Sequence, residues 1–205
     1  MQIQLTNTGK RYNRDWIFRH CTYTFKVGNS YAIIGPNGSG KSTLLQTIAG
    51  ALNPSEGSID YTIDHRPLTV DDFYKQIALA APYLEVIEEM TATEFLNFHA
   101  AFKPLLPHIT ITEIVTIIGL ENNVDKQIRY YSSGMKQRIK LAQAIFSDTQ
   151  VLLLDEPCTN LDTAGYQLYK TLITTYCSHK LIIVSSNDLQ EYGFCDAQIL
   201  IGDYK

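Results

Sequence analysis

Residues 35–42 read Gly-Pro-Asn-Gly-Ser-Gly-Lys-Ser directly after the apolar run Tyr31-Ala-Ile-Ile34, and this juncture restricts the fold more than any other stretch. Glycines at 35, 38 and 40 let backbone N–H groups wrap an anion at close range. Such a loop works when a buried strand delivers it and a helix starts behind it, with the first helical N–H groups aimed at the anion. The spacing therefore predicts strand, Gly-rich loop and helix in that order, the P-loop arrangement of an α/β protein. Gly35, Pro36, Asn37, Gly38, Ser39 and Gly40 would surround phosphates, Lys41 would meet the β and γ oxygens, and Thr43 would follow a Ser42 whose hydroxyl can bind Mg²⁺.

Two more short apolar runs, Val151-Leu-Leu-Leu154 and Leu181-Ile-Ile-Val184, have the continuous apolar character of parallel strands buried on both faces. Gln76 to Ala81 reads as a further strand. Polar, small or acidic residues follow each run, which suits a sheet whose ligand lies beyond the carboxyl ends of its strands. After the second run come Asp155 and Glu156. Two adjacent acids beside a phosphate loop need a cation: Asp155 is placed to hold a water of a Mg²⁺ shell, and Glu156 to polarise a water for attack on a γ-phosphate. Ile3 to Phe25 alternates polar and apolar residues and reads as antiparallel β. Ala92 to Ala101 and Ile111 to Ile118 read as helices. The expected architecture is one α/β domain over residues 1–205: a P-loop NTPase core of mainly parallel sheet (about 1–81 and 141–205), an N-terminal antiparallel β portion, and an inserted α-helical subdomain (about 82–140).

A second anion-seeking feature lies at Tyr130-Tyr-Ser-Ser-Gly-Met-Lys-Gln-Arg138. Met135, Ile139, Ala142 and Phe146 recur at helical spacing, so a helix begins near Ser133 behind serines that are good N-caps. Its free N–H groups attract negative charge.

Composition narrows the partners. At 205 residues, 45% apolar and 19% charged, the chain suits one sizeable core. A net charge of −4 argues against a free-standing nucleic-acid binder. Cys21, Cys158, Cys177 and Cys195 are far apart, which indicates neither a disulfide framework nor a zinc site and fits a reducing compartment. No apolar run is long enough to span a bilayer.

The order of motifs resembles the nucleotide-binding subunit of an ATP-binding cassette (ABC) transporter over nearly the whole chain. Gly35 to Thr43 is similar to the Walker A loop, Val151 to Glu156 to the Walker B strand, Thr159-Asn-Leu-Asp162 to the D-loop, and Ser132 to Met135 to the signature motif, with Ser133 and Met135 departing from the common Gly and Gln. Ser133 suits that place only with an ordinary φ. Tyr12 matches the aromatic that stacks on adenine, although Trp16 and Phe18 are near enough to compete. The resemblance implies ATP and Mg²⁺ as ligands and a head-to-tail pair, homodimeric or with another ABC ATPase, in which Ser132, Ser133 and Gly134 of one copy cap the nucleotide of the other. It implies separate transmembrane permease subunits and a cytoplasmic, peripheral position under the membrane. Those subunits would dock near Tyr83 to Met90, where apolar and acidic residues alternate.

Two positions depart from the family pattern. Ala81-Pro82-Tyr83 stands where a Mg²⁺-contacting glutamine is usual; Gln76 precedes the strand, and Glu85 is a candidate replacement. Asn187 stands at the switch histidine, and it donates hydrogen bonds without carrying charge. ATP hydrolysis is still expected, at a reduced rate or with greater dependence on partners. The alternatives are a soluble ABC-type ATPase acting on nucleic acid, ribosomes or a cofactor-assembly complex, and a poorly hydrolytic ATP-gated interaction module.

Overall fold

The computed structural model describes residues 1–205. Strands β1 (Gln2–Tyr12) and β2 (Asp15–Lys26) form an antiparallel hairpin whose turn places Asn13 at a left-handed φ of 54°, which asparagine tolerates well. The chain then enters the second sheet through β3 (Ser30–Ile34) and leaves it through α1 (Lys41–Ile48). It returns to the first sheet as β4 (Glu56–Ile63) and β5 (Arg66–Leu68), and the short α2 (Val70–Phe73) leads to β6 (Ile77–Ala80). A helical run follows: α3 (Ala92–Phe102), α4 (Ile111–Ile117) and α5 (Ser133–Ile145). The chain finishes as β7 (Val151–Asp155), α6 (Thr163–Tyr176), β8 (Leu181–Ser185), α7 (Leu189–Tyr192) and β9 (Ala197–Leu200).

The first sheet has the order β2-β1-β4-β5 and is antiparallel throughout; the second has the order β6-β7-β8-β3-β9 and is parallel throughout. The parallel strands read as unbroken apolar runs because both faces are covered. On β7, Val151 and Leu153 join the cluster shared with the antiparallel sheet and α1, whereas Leu152 and Leu154 join the cluster that continues into α3, α4, α5 and α6. On β8, Leu181 and Ile183 divide from Ile182 and Val184 in the same way, as the two-residue period of a strand requires. Each such buried aliphatic side chain stabilises the fold by roughly 1.5–3 kcal/mol.

Two helices of the helical run start with complete capping boxes. Thr91 and Glu94 bond reciprocally before α3, and Thr110 and Glu113 do so before α4. Apolar residues of α3 (Phe95, Leu96) and α4 (Ile114, Val115) share one buried cluster with Ile139 and Ala142 of α5 and with Leu152 and Leu154 of β7. Helix α5 thereby packs between the helical run and the parallel sheet.

Candidate functional site

Strand order and register decide which loops meet. Ser185, last on β8, pairs with Ile33 of β3 on one side and with Asp155 of β7 on the other. The loop after β3, the acids after β7 and the segment after β8 therefore emerge side by side at one edge of the sheet, although they are far apart along the chain.

A cavity of about 220 Å³ lies at that edge, lined by Asn37, Gly38, Gly40, Lys41, Ser42, Thr43, Glu156 and Ile17. Gly40 is the N-cap of α1, with φ of 102° and no side-chain cap, so the first N–H groups of α1 face the cavity free of side-chain partners. Only glycine fits there: a Cβ would approach Ile17 Cγ2 to 2.4 Å, in a backbone region that other residues rarely adopt. Lys41 is buried, and its ammonium donates to the carbonyls of Gly35 (2.9 Å) and Pro36 (3.2 Å), which holds the charge at the base of the loop. Ser39 is buried beneath Pro36, to whose carbonyl its N–H donates at 3.1 Å.

Asp155 is 2% exposed, and Glu156 follows it at a left-handed φ of 42°, held by an N–H bond to the Ser185 carbonyl at 2.9 Å. A non-glycine residue in that region costs on the order of 1–3 kcal/mol, and here the turn brings the Glu156 carboxylate to the cavity wall. Buried side-chain polar atoms without a hydrogen-bond partner are few: Ser39 Oγ, Asp155 Oδ1, Ser185 Oγ and Arg138 Nε. The first three surround this edge. Native proteins rarely leave buried polar atoms orphaned outside functional sites, so an acidic orphan at the sheet edge where Ser42 lines the cavity fits a divalent cation with its waters.

Asn187 is exposed and donates through Nδ2 to Asn37 Oδ1 at 3.0 Å, so the segment after β8 touches the Gly-rich loop. Asp188 caps α7 and accepts from Tyr166 of α6 at 2.8 Å. Glu191, which sequence reasoning did not single out, is buried and accepts the N–H of Cys158 at 2.7 Å, anchoring the turn after Glu156. Burial raises the Glu191 carboxyl above its ordinary range. Its signal in the sequence was slight, a glutamate within a short polar helix.

The segment 81–90 makes contacts that the sequence alone did not indicate. Glu85 is exposed and close enough for its charge to act on Lys140 of α5, which also donates to the Pro82 carbonyl at 3.1 Å. Burial first, then the charge of Asp155, push the phenol of Tyr83 up to about 12, while a hydrogen bond with Gln46 of α1 opposes the shift. Glu88 pairs with Lys136 of α5 at 2.5 Å, and Glu89 with Arg129 at 3.4 Å, so both acids already have partners in the chain.

Of the aromatics near Tyr12, Phe18 is fully buried, and Trp16 has the guanidinium groups of Arg19 and Arg11 at 4.2 and 5.5 Å from its ring centre. Tyr12 ends β1 half exposed, with the Lys10 ammonium 5.5 Å from its ring centre, and Ile17 rather than Tyr12 lines the cavity.

The second helix start lies elsewhere. Ser132, Ser133, Gly134, Met135 and Arg138 line another cavity, about 270 Å³, together with Asn160, Leu161 and Asp162. Ser132 is the N-cap of α5 and accepts the Met135 N–H at 3.3 Å; Ser133 opens the helix with no left-handed φ. Gly134 lies against the Asn160 carbonyl, which a Cβ would approach to 3.1 Å. Buried Gln137 donates to the Pro157 carbonyl at 2.6 Å, tying α5 to the turn after Glu156.

The sequence matches the family model described as ABC transporter over residues 18–159. It is 32% identical over 197 residues to an uncharacterised ABC transporter ATP-binding protein, YybJ of Bacillus subtilis strain 168, covering 95% of this chain and 89% of that one. A putative ABC transporter ATP-binding protein from Pyrococcus furiosus has the same fold, with a TM-score of 0.83, 22% identity and full coverage of both chains. The ATP-binding cassette MJ0796, solved as a dimer in a post-hydrolysis state bound to ADP and Pi, superposes with a TM-score of 0.79 at 22% identity over 98% of this chain and 95% of that one.

Proposed function

Because this chain belongs to the ABC transporter family as an ATP-binding subunit, we propose that it binds and hydrolyses ATP as one half of a head-to-tail pair of cassettes and powers transport through separate transmembrane subunits. One observation carries this reading: the Lys41–Ser42 helix start and the Asp155–Glu156 pair share one sheet edge, while a second helix start at Ser132–Met135 faces a different cavity.

In this reading the loop N–H groups and Lys41 hold the β and γ phosphates, with the Ser42 hydroxyl and Asp155 as the residues that would hold Mg²⁺. The ion would spread the phosphate charge. Glu156 takes a proton from water as the water oxygen bonds to the γ-phosphorus; the bond to the bridging oxygen breaks, and ADP and phosphate leave. Pairing is supported by the similar cassette MJ0796, which was solved as a dimer, and in such a pair Ser132, Ser133 and Gly134 would cap the γ-phosphate held by the other copy. Tyr12 would present its ring face to adenine. The helical residues of about 82–140 would then act as one subdomain of a single cassette spanning 1–205.

No helix is long and apolar enough to cross a membrane, and we place the chain peripherally on the cytoplasmic face. With Glu88 and Glu89 paired inside the chain, the exposed apolar side chains Tyr83 and Ile87 are the better docking contacts for a permease. Asn187 and the Ala81-Pro82-Tyr83 turn should slow hydrolysis relative to relatives with histidine and glutamine there. Phosphate release from ATP by the chain alone, and again after copurification with its membrane partner, tests the proposal. Stimulation by the partner is expected, and ATP binding without release under both conditions would favour the ATP-gated, non-hydrolytic module.

A further inference from the structure

Glu156 has a left-handed φ of 42° immediately before Pro157, and a proline pushes the residue ahead of it toward extended backbone. Such a conformation persists only where its surroundings over-determine it. The Glu156 N–H is spent on the Ser185 carbonyl, and the Glu156 carbonyl accepts from the N–H (3.2 Å) and the hydroxyl (2.9 Å) of Thr159. Pro157 has no N–H, so the first donor after Glu156 is the N–H of Cys158, which shares one peptide plane with the Pro157 carbonyl and points the opposite way. Side chains take both groups of that plane. Gln137 of α5 donates through Nε2 to the carbonyl at 2.6 Å, and Glu191 of α7 accepts the N–H through Oε1 at 2.7 Å. Gln137, Cys158 and Glu191 are all buried. Glu191 is itself pinned: the Tyr169 hydroxyl donates to its carbonyl at 2.9 Å, and the Ser186 side chain bonds its carboxyl.

We propose that Gln137 and Glu191 are a pair of positioning residues that clamp the Pro157–Cys158 peptide from its two sides and so hold the Glu156 carboxylate at the wall of the phosphate cavity. This rests on the ATPase reading, in which Glu156 polarises the attacking water, and adds the two side chains through which that base is aimed. Neither of them lines the cavity. Removing either leaves a buried polar group without a partner and lets the peptide plane tilt, so that the turn relaxes toward the extended backbone that Pro157 favours. A displacement of about 1 Å at a reacting group costs on the order of 100-fold in rate. Lys41 and the first N–H groups of α1 follow β3, on another part of the sheet edge, so ATP affinity is separable from the chemical step.

The test measures kcat by phosphate release and ATP affinity by equilibrium titration for the full chain and four variants. Glu191→Ala deletes the acceptor. Gln137→Met keeps length and burial but deletes the donor. Both should lower kcat roughly 10- to 100-fold and leave ATP affinity within about twofold. Glu191→Gln keeps an acceptor oxygen without the charge, and should restore kcat to within about threefold of the unaltered chain. The fourth variant combines Gln137→Met with Glu156→Gln. If Gln137 acts through the Glu156 carboxylate, adding Gln137→Met where that carboxylate is already gone should lower the residual turnover by less than about twofold. A kcat unmoved by Glu191→Ala and Gln137→Met, losses that multiply in the combined variant, or an ATP affinity that falls in both single variants as far as kcat would overturn the clamp. Should Glu191→Ala alone fail to fold, Gln137→Met and the combined variant decide. If the unaltered chain releases no phosphate, alone or with its membrane partner, the ATPase reading falls first, and the clamp falls with it.

Discussion

Two helices of this chain begin with polar, glycine-containing turns, and they begin differently. Helix α1 starts at Gly40 with no side-chain cap, beside a buried lysine and an acidic pair. Helix α5 starts at Ser132, whose hydroxyl already accepts the Met135 N–H, beside Arg138 and the turn Asn160–Asp162. The first start leaves its N–H groups free and keeps a cation and general-base chemistry within reach. The second satisfies part of its own need and has neither an acidic pair nor a lysine in its cavity. The contrast suits the proposed head-to-tail pair, in which one copy would hold the nucleotide and perform the chemistry and the other would close over it.

The sharpest way to break this contrast is Glu156→Gln. Losing the water-polarising carboxylate should cut turnover by roughly 10²- to 10⁴-fold while ATP stays bound, and sedimentation with saturating ATP and Mg²⁺ should show a dimer. A monomer would separate the two helix starts for good. Next comes Lys41→Ala, expected to weaken ATP binding by about 100-fold, because the phosphates lose the loop's charged donor; titration with a fluorescent ATP analogue reads this directly, and unchanged affinity would remove the phosphate assignment.

Ser132→Ala should act on the other side of the comparison. It removes an N-cap worth about 1 kcal/mol of helix stability, and turnover should fall while the isolated chain binds ATP as before. If instead monomer affinity falls as far as in Lys41→Ala, both starts serve one site. Tyr83→Phe deletes only the phenol hydroxyl near Gln46 and Asp155; a severalfold rise in the Mg²⁺ concentration needed for half-maximal turnover is expected, and an unshifted metal dependence would assign Tyr83 to packing. The smallest effect belongs to Glu88→Lys. The broken pair with Lys136 is solvent-exposed and contributes at most about 1 kcal/mol, so denaturant melts should move little, and a large loss would mean that this pair orients α5.

What the amino-acid order determined by itself was local. The apolar runs at 31–34, 151–154 and 181–184 became β3, β7 and β8, because strands buried on both faces need apolar residues at every position. Gly40 announced its left-handed φ, and Ser132 its cap, because turn chemistry is written in adjacent residues. Tertiary structure alone decided the long-range meetings. The turn after β6 sets Glu85, the candidate for the missing glutamine's place, where its charge acts on Lys140, and sets Tyr83 where the charge of Asp155 acts on it. Within the stretch Tyr83 to Met90, the fold sets Lys136 and Arg129 beside Glu88 and Glu89, which no local pattern announces. Asn187 meets Asn37, Glu191 holds Cys158, and Asp155 keeps an unpartnered oxygen because β8 lies between β3 and β7. Sheet order follows from how whole faces bury against one another, and that balance is summed over the entire chain, so no single stretch of residues records it.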